Sequence, residues 1–170
     1  ALKLATDRQE MLEAAFDGFG VIGLDTPISP AYGDYYLDAP APKRDVEKAK
    51  QLLAEAGYAD GLKLTIYSPE VRPHSAMAVI WKEQLSEIGV DLDIQLVPSD
   101  IYYVNWLDYE LGITDWGTRA HPGVFLQQAY ITGARWNETH WSDSELDDLA
   151  AKIATEMDYN KRIEMYHRVQ

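Results

Sequence analysis

The sequence predicts an α/β fold, and three observations predict it. Between residues 62 and 116, segments with strand-like alternation take turns with segments of helical spacing. The helical segments begin at side chains suited to capping and end at glycines. The composition, 46% apolar and 25% charged, is that of a chain that packs a core. For 170 residues one domain is the expectation, burying roughly 70% of its unfolded surface.

Residues 1–5 read as the end of a helix. Asp7-Arg8-Gln9-Glu10 has the form of a capping box, in which Asp7 accepts from a first-turn amide and Glu10 reaches back. Met11, Leu12, Ala15 and Phe16 give the stripe of a short helix ending near Gly18. Residues 18–42 are rich in Gly, Asp and Pro, carry Tyr32, Tyr35 and Tyr36, and show no period, which predicts a loop. Asp45 caps a helix with Val46, Ala49, Leu52, Leu53 and Ala56 on one face, and Gly57 closes it.

Leu62, Leu64 and Ile66 alternate as a strand. Met77, Ile80, Trp81, Leu85 and Ile88 form a helix closed by Gly89, and Leu92, Ile94 and Leu96 a second strand before Pro98. Ser99 or Asp100 caps a short aromatic helix through Trp106, and residues 111–116 are a third strand. Strands separated by helices need crossover connections, so the sheet is largely parallel. After Pro122 the pattern is helical to the end, with a second capping box at Ser142-Asp143-Ser144-Glu145. Leu146, Leu149, Ala150, Ile153, Ala154 and Met157 follow on one face, and residues 161–170 are again helical. Residue 1 is Ala and not Met, the chain opens on the tail of a helix, and residues 161–170 carry no C-terminal Gly or Pro stop, so a piece cut from a longer chain is expected.

Several function classes fall on composition. With 28 acidic against 15 basic residues the net charge is −13, which repels phosphate backbones and anionic lipid. No nucleic-acid partner is expected. The absence of cysteine removes thiol catalysis and thiolate-held zinc. Gly18-Phe19-Gly20-Val21-Ile22-Gly23 matches GxGxxG, yet it follows a helix and runs into Pro27, so the dinucleotide context fails. His74, His121, His140 and His167 are scattered and give at most isolated i, i+3 pairs with acids, short of a metal site. Asp143, Glu145, Asp147 and Asp148 suit the positive end of a helix dipole. No GxSxG, Walker loop or HExxH occurs, and neither a cofactor nor a metal is expected.

The aromatic residues are more suggestive. Trp116 ends the third expected strand, and Gly117, Thr118, Arg119, Ala120 and His121 follow before Pro122. Ligands of open α/β sheets bind beyond the carboxyl ends of strands. A Trp, an Arg and a His on one loop there can stack on and hydrogen-bond a small polar molecule. The alternative is a core Trp116 and a solvated Arg119.

An ordered set of segments resembles the family 5 extracellular solute-binding proteins of ABC transporters, the oligopeptide-, dipeptide- and nickel-type receptors. It runs from Ala1-Leu2-Lys3, Asp7-Arg8, Gly18-Phe19-Gly20, Pro27-Ile28 and Pro30 through residues 49–58 and 84–90. It continues with Trp116-Gly117, Trp136-Asn137 and Trp141-Ser142-Asp143 to Arg162, Tyr166 and Gln170. The resemblance implies a periplasmic-binding-protein-like type II fold, a mixed sheet flanked by helices. Residues 1–170 would be its second, C-terminal lobe (domain III). It implies a non-enzymatic, monomeric receptor, periplasmic or held outside the membrane, with its export signal beyond this segment. Its partners would be a small-molecule or peptide solute, the first lobe of the same chain and the membrane permease. The ligand-binding residues would be Trp116, Gly117, Thr118, Arg119 and His121. Peptide-binding relatives place an Asp in this loop for the peptide's amino terminus. Residues 117–121 hold no acid, and Arg119 stands there instead, so an anionic or sugar-like solute is as compatible as a peptide. Two other readings are an α/β enzyme domain with catalytic groups elsewhere and a stand-alone interaction module. The parent sequence upstream discriminates among the three.

Overall fold

The computed structural model describes all 170 residues. Where length alone suggests one domain, the chain forms two compact units, Ala1–Ile22 with Ala41–Asp115, and Gly23–Pro40 with Trp116–Gln170.

The first unit holds α1 (Leu2–Ala5), α2 (Arg8–Phe16), α3 (Val46–Glu55), β1 (Leu62–Pro69), α4 (His74–Ser86), β2 (Val90–Val97) and α5 (Ser99–Asn105). The two strands pair in parallel from Leu62 opposite Val90 to Pro69 opposite Val97. A parallel pair needs a crossover, and α4 supplies it, packing on both strands. Ile66, Leu85, Leu92 and Val90 are buried in one cluster with Ala5, Ala49 and Leu53 from the preceding helices. Lys63, Thr65, Asp91 and Asp93 alternate with these residues and are exposed.

Residues 111–116 do not form the expected third strand. A single parallel bridge joins Tyr67 to Gly112. Tyr67 donates to the Leu111 carbonyl at 3.0 Å and accepts from the Ile113 amide at 3.2 Å. The ladder goes no further toward the end of β1, where the next residue facing this edge is Pro69, which has no N–H to donate. The Tyr102 hydroxyl of α5 lies 2.6 Å from where a Gly112 Cβ would sit, so glycine makes room for it, and Tyr109 stacks on Tyr67 at 4.1 Å. Within this chain the sheet is a parallel pair with one bridged residue beside it.

The helix starts show what short-range patterns can and cannot fix. Asp7 caps α2 by accepting from the Gln9 and Glu10 amides, each at 3.0 Å. Glu10 does not return the bond. Buried Gln84 of α4 does so instead: its Oε1 accepts from the Asp7 amide at 3.0 Å. Its Nε2 donates to the Asp7 carbonyl at 3.1 Å and to Glu10 Oε2 at 2.7 Å. Asp45 caps α3, and Gly57 (φ +90°) ends it, as expected. α5 has no side-chain cap: Pro98 precedes it, and Ser99 Oγ is buried without a partner.

The second unit is helical. A 3₁₀ turn, Pro30–Tyr35, breaks the expected loop. α6 (Gly123–Phe125) runs into a π turn, Leu126–Tyr130, where the Ile131 amide donates to the Leu126 carbonyl at 3.0 Å. The helix expected to continue from Pro122 stops there, and α7 (Ser144–Thr155) and α8 (Tyr159–Val169) follow. The α7 cap is Asp143, which accepts from the Glu145 and Leu146 amides at 2.8 and 3.0 Å. Ser142, expected in that role, bonds Thr132 instead, and Glu145 pairs with Arg168. Ile28, Leu126, Ala150, Ile153 and Tyr166 form this unit's core. No helix of the chain is long and apolar enough to cross a membrane.

The Gln84 junction is testable. Gln84→Leu keeps roughly the volume but leaves the part-buried Asp7 amide without its acceptor, and is expected to cost about 1–3 kcal/mol. Leu92→Ala, a core truncation, is expected to cost about 2–5 kcal/mol. Urea unfolding of the two variants beside the parent measures both. A Gln84→Leu protein as stable as the parent would remove this junction from the forces holding α2.

Candidate functional site

Residues 116–121 lie wholly in the second unit. Trp116 is half-buried, in a segment without regular secondary structure and not at the end of a full strand. Its indole meets Phe125 edge-to-face at 5.8 Å and Trp136 at 5.8 Å, with interplanar angles of 75° and 64°. Phe125 is fixed by α6, and Trp136 by its amide, which donates to the Gln128 carbonyl of the π turn at 2.9 Å.

Arg119 folds onto this aromatic platform. Its Cζ sits 5.7 Å from the Trp116 ring centroid and 5.8 Å from that of Phe125, within the range of cation–π attraction. Nη1 donates to the Gly117 carbonyl at 2.8 Å, and Nε reaches Gln128 Oε1 at 3.5 Å. A guanidinium has five N–H bonds, and these contacts use two of them, leaving the outer Nη1/Nη2 edge unclaimed. No carboxylate pairs with Arg119. Asp115, the nearest acid in sequence, accepts from Tyr103 at 2.5 Å and faces His74 Nε2 at 3.1 Å. The Tyr103 hydrogen bond is the main reason the Asp115 carboxyl is held below the ordinary range.

The Arg119 backbone is gripped by one phenol. Its amide donates to the Tyr32 hydroxyl at 3.1 Å, and that hydroxyl donates to the Arg119 carbonyl at 2.9 Å. Thr118 is exposed and forms no hydrogen bond, and Gly117 is exposed beside it.

His121 parts from the other expected site residues. Expected at a rim, it packs against Tyr35 at 5.3 Å and Tyr166 at 5.6 Å. Its Nδ1 accepts from the Gly123 amide at 3.3 Å and faces the Tyr166 hydroxyl at 3.0 Å. Burial pushes the Tyr166 pKa up to about 12, which keeps the phenol protonated. Burial, then the Arg162 charge, lowers the His121 pKa. The structure thus brings Trp116, Gly117 and Arg119 together, leaves Thr118 free beside them and turns His121 inward. Phe125, Trp136, Gln128 and Tyr32 escaped the sequence reading. Only the density of tyrosines in residues 30–36 hinted at any of them.

The His121 contacts predict a pH dependence with a definite sign. A histidine with a lowered folded pKa gives its full stabilisation above its unfolded value of about 6.5, and loses it as pH falls through the folded value. Unfolding free energy is expected to fall on acidification from about pH 7.5 to 5, and less steeply in His121→Gln. Denaturant melts across that range check it, and parallel slopes in parent and variant would refute it.

The comparisons with known proteins agree with this architecture. Residues 1–138 match the family model described as bacterial extracellular solute-binding proteins, family 5 Middle. Di/tripeptide-binding protein 3 of Pseudomonas aeruginosa is 26% identical over 187 residues, covering 100% of this chain and 34% of that protein. The glutathione-binding protein GsiB of Salmonella typhimurium is 28% identical over 192 residues, covering 100% of this chain and 35% of that protein. The periplasmic binding protein DppA of Helicobacter pylori, solved with the peptide STSA, superposes with a TM-score of 0.90 at 24% identity. That match covers 99% of this chain and 34% of the other, and it shows the fold. The chain spans about a third of the length of the curated relatives it matches. Its fold is that of part of a type II periplasmic binding protein, and the chain belongs to the bacterial extracellular solute-binding proteins of family 5.

Proposed function

We propose that the chain forms one wall of the solute cleft in the substrate-binding component of an ABC importer. It is the second lobe of a two-lobed receptor whose first lobe lies elsewhere in the same polypeptide. The receptor works outside the cytoplasmic membrane and hands its solute to the permease subunits. It binds and releases without chemical change. Family membership supports this reading, as do relatives that bind peptides and glutathione by name.

Within the wall, Trp116, Gly117, Thr118 and Arg119 face the solute, and His121 holds the loop from behind. The observation that carries this is the Arg119 guanidinium, seated on two aromatic rings with its outer edge unclaimed and no carboxylate beside it. A planar fork of donors suits a carboxylate better than an ammonium. The solute therefore presents an anionic or acceptor-rich group to Arg119, with Trp116 alongside. A chain of net charge −13 with a guanidinium left uncompensated at this loop has reserved that cation for something outside itself.

Calorimetry on the intact receptor tests this, with glutathione and a neutral dipeptide amide as the two probes. The carboxylate-bearing probe is expected to bind more tightly. Arg119→Ala should weaken it by about 1.5–3 kcal/mol, roughly ten- to a hundredfold, and should barely change the amide. Equal affinity of parent and variant for both probes would take Arg119 out of the site.

A further inference from the structure

We propose that Tyr32, through its hydroxyl, is the residue that positions the Arg119 guanidinium over Trp116 and Phe125. Its use for the solute rests on the reading of Arg119 given above. The placement itself stands on the geometry.

One phenolic oxygen holds both polar groups of one residue's backbone, accepting from the Arg119 amide at 3.1 Å and donating to its carbonyl at 2.9 Å. In this way a side chain does what a neighbouring strand does for a strand residue, satisfying the N–H and the C=O together. The Tyr32 ring lies edge-on to Phe125 at 6.1 Å, one of the two rings that carry the guanidinium. Tyr32 therefore fixes Arg119 from below by its hydroxyl and sets part of the platform by its ring.

The element that presents Tyr32 is itself well anchored. The turn Pro30–Tyr35 begins with Ser29 Oγ accepting from the Ala31 amide at 3.2 Å. Its last residue, Tyr35, packs on His121 and on Tyr166 at 4.7 Å. Gln170 Nε2 donates to the Tyr35 carbonyl at 2.8 Å, and Gln170 Oε1 accepts from the Leu37 amide at 3.0 Å. One turn thus grips the loop at two points, Arg119 by Tyr32 and His121 by Tyr35. Without the Tyr32 hydroxyl the Arg119 amide and carbonyl lose their only protein partner, and the guanidinium is held by its side-chain contacts alone.

Tyr32→Phe removes both bonds and keeps the ring. The first measurement needs no ligand: NMR of the intact protein labelled at arginine. In the parent, ring currents from Trp116 and Phe125 displace the Arg119 side-chain resonances. In Tyr32→Phe they are expected to move toward the positions of free arginine, and the Arg119 amide to exchange faster. Tyr36→Phe, a hydroxyl lost from the same segment but not from Arg119, is expected to leave both unchanged. Arg119 resonances unmoved in Tyr32→Phe, or moved equally by Tyr36→Phe, would overturn the proposal.

The second measurement is a double-mutant cycle on glutathione binding. Tyr32→Phe alone should weaken binding about three- to tenfold, the range of one or two lost hydrogen bonds. In an Arg119→Ala background it should add nothing, because its effect passes through Arg119. A full multiplicative loss in the double variant counts against a positioning role. If Arg119→Ala alone binds as the parent does, the anion reading falls, and the resonance comparison still decides the role of Tyr32.

Discussion

Two parallel strands cannot be joined by a tight turn, so whatever joins them must leave the sheet and come back, and in the first unit everything else is arranged around that return path. α4 travels back across β1 and β2, and supplies Leu85 to the cluster that holds Ile66, Val90 and Leu92, with Trp81 packed against it. Its other obligation is polar. Gln84 leaves the same helix to complete the cap of α2, so α2 is placed by the crossover more than by its own weakly patterned stripe. A parallel sheet is ordinarily covered on both faces. Here one face is lined by Lys63, Thr65, Asp91 and Asp93 and is wet within this chain.

That wet face explains why the strands were legible at all. Covered on both sides, they would read as unbroken apolar runs, hard to tell from helix. With one face exposed, Leu62-Lys63-Leu64-Thr65-Ile66 and Val90-Asp91-Leu92-Asp93 alternate, and the period declares the strand. The residues after Leu111 alternate too, but period says nothing about whether a neighbour leaves room. One bridge forms at Gly112, and Pro69 has no N–H to carry the ladder on. The caps divide in the same way. Asp45 and Asp143 act within three residues of themselves, whereas the partner of Glu10 lies 74 residues away and has no local signature. Choosing Asp143 over Ser142 is a matter of one position in backbone geometry, finer than composition resolves.

The site was half legible for a related reason. Trp116 and Arg119 are three apart on one loop, and their stacking is local. Phe125 and Gln128 come from the helix that follows, Trp136 from beyond the π turn and Tyr32 from a segment 87 residues earlier. Each joins the loop by tertiary packing. For His121 the residue type suggests chemistry, but its packing on Tyr35 and Tyr166 and the Gly123 and Tyr166 contacts at Nδ1 are set by tertiary structure. The electrostatics also work on two scales. A net charge of −13 discourages an anion at a distance, but beyond about 8 Å that field is largely screened at physiological salt. The Arg119 guanidinium, with no carboxylate beside it, is a local exception to that charge.

The π turn carries a consequence for how such a surface changes over generations. A turn of this kind is an α-helix with one residue too many. The contacts of this surface meet in that turn: the Gln128 carbonyl accepts from the Trp136 amide, the Gln128 side chain reaches Arg119, and Leu126 lies in the buried core. Deleting one residue between Leu126 and Tyr130 would let the segment close to α-helical geometry and would remove or shift one of these three anchors. A change of one residue in length there therefore reaches the second indole, the guanidinium and the core together.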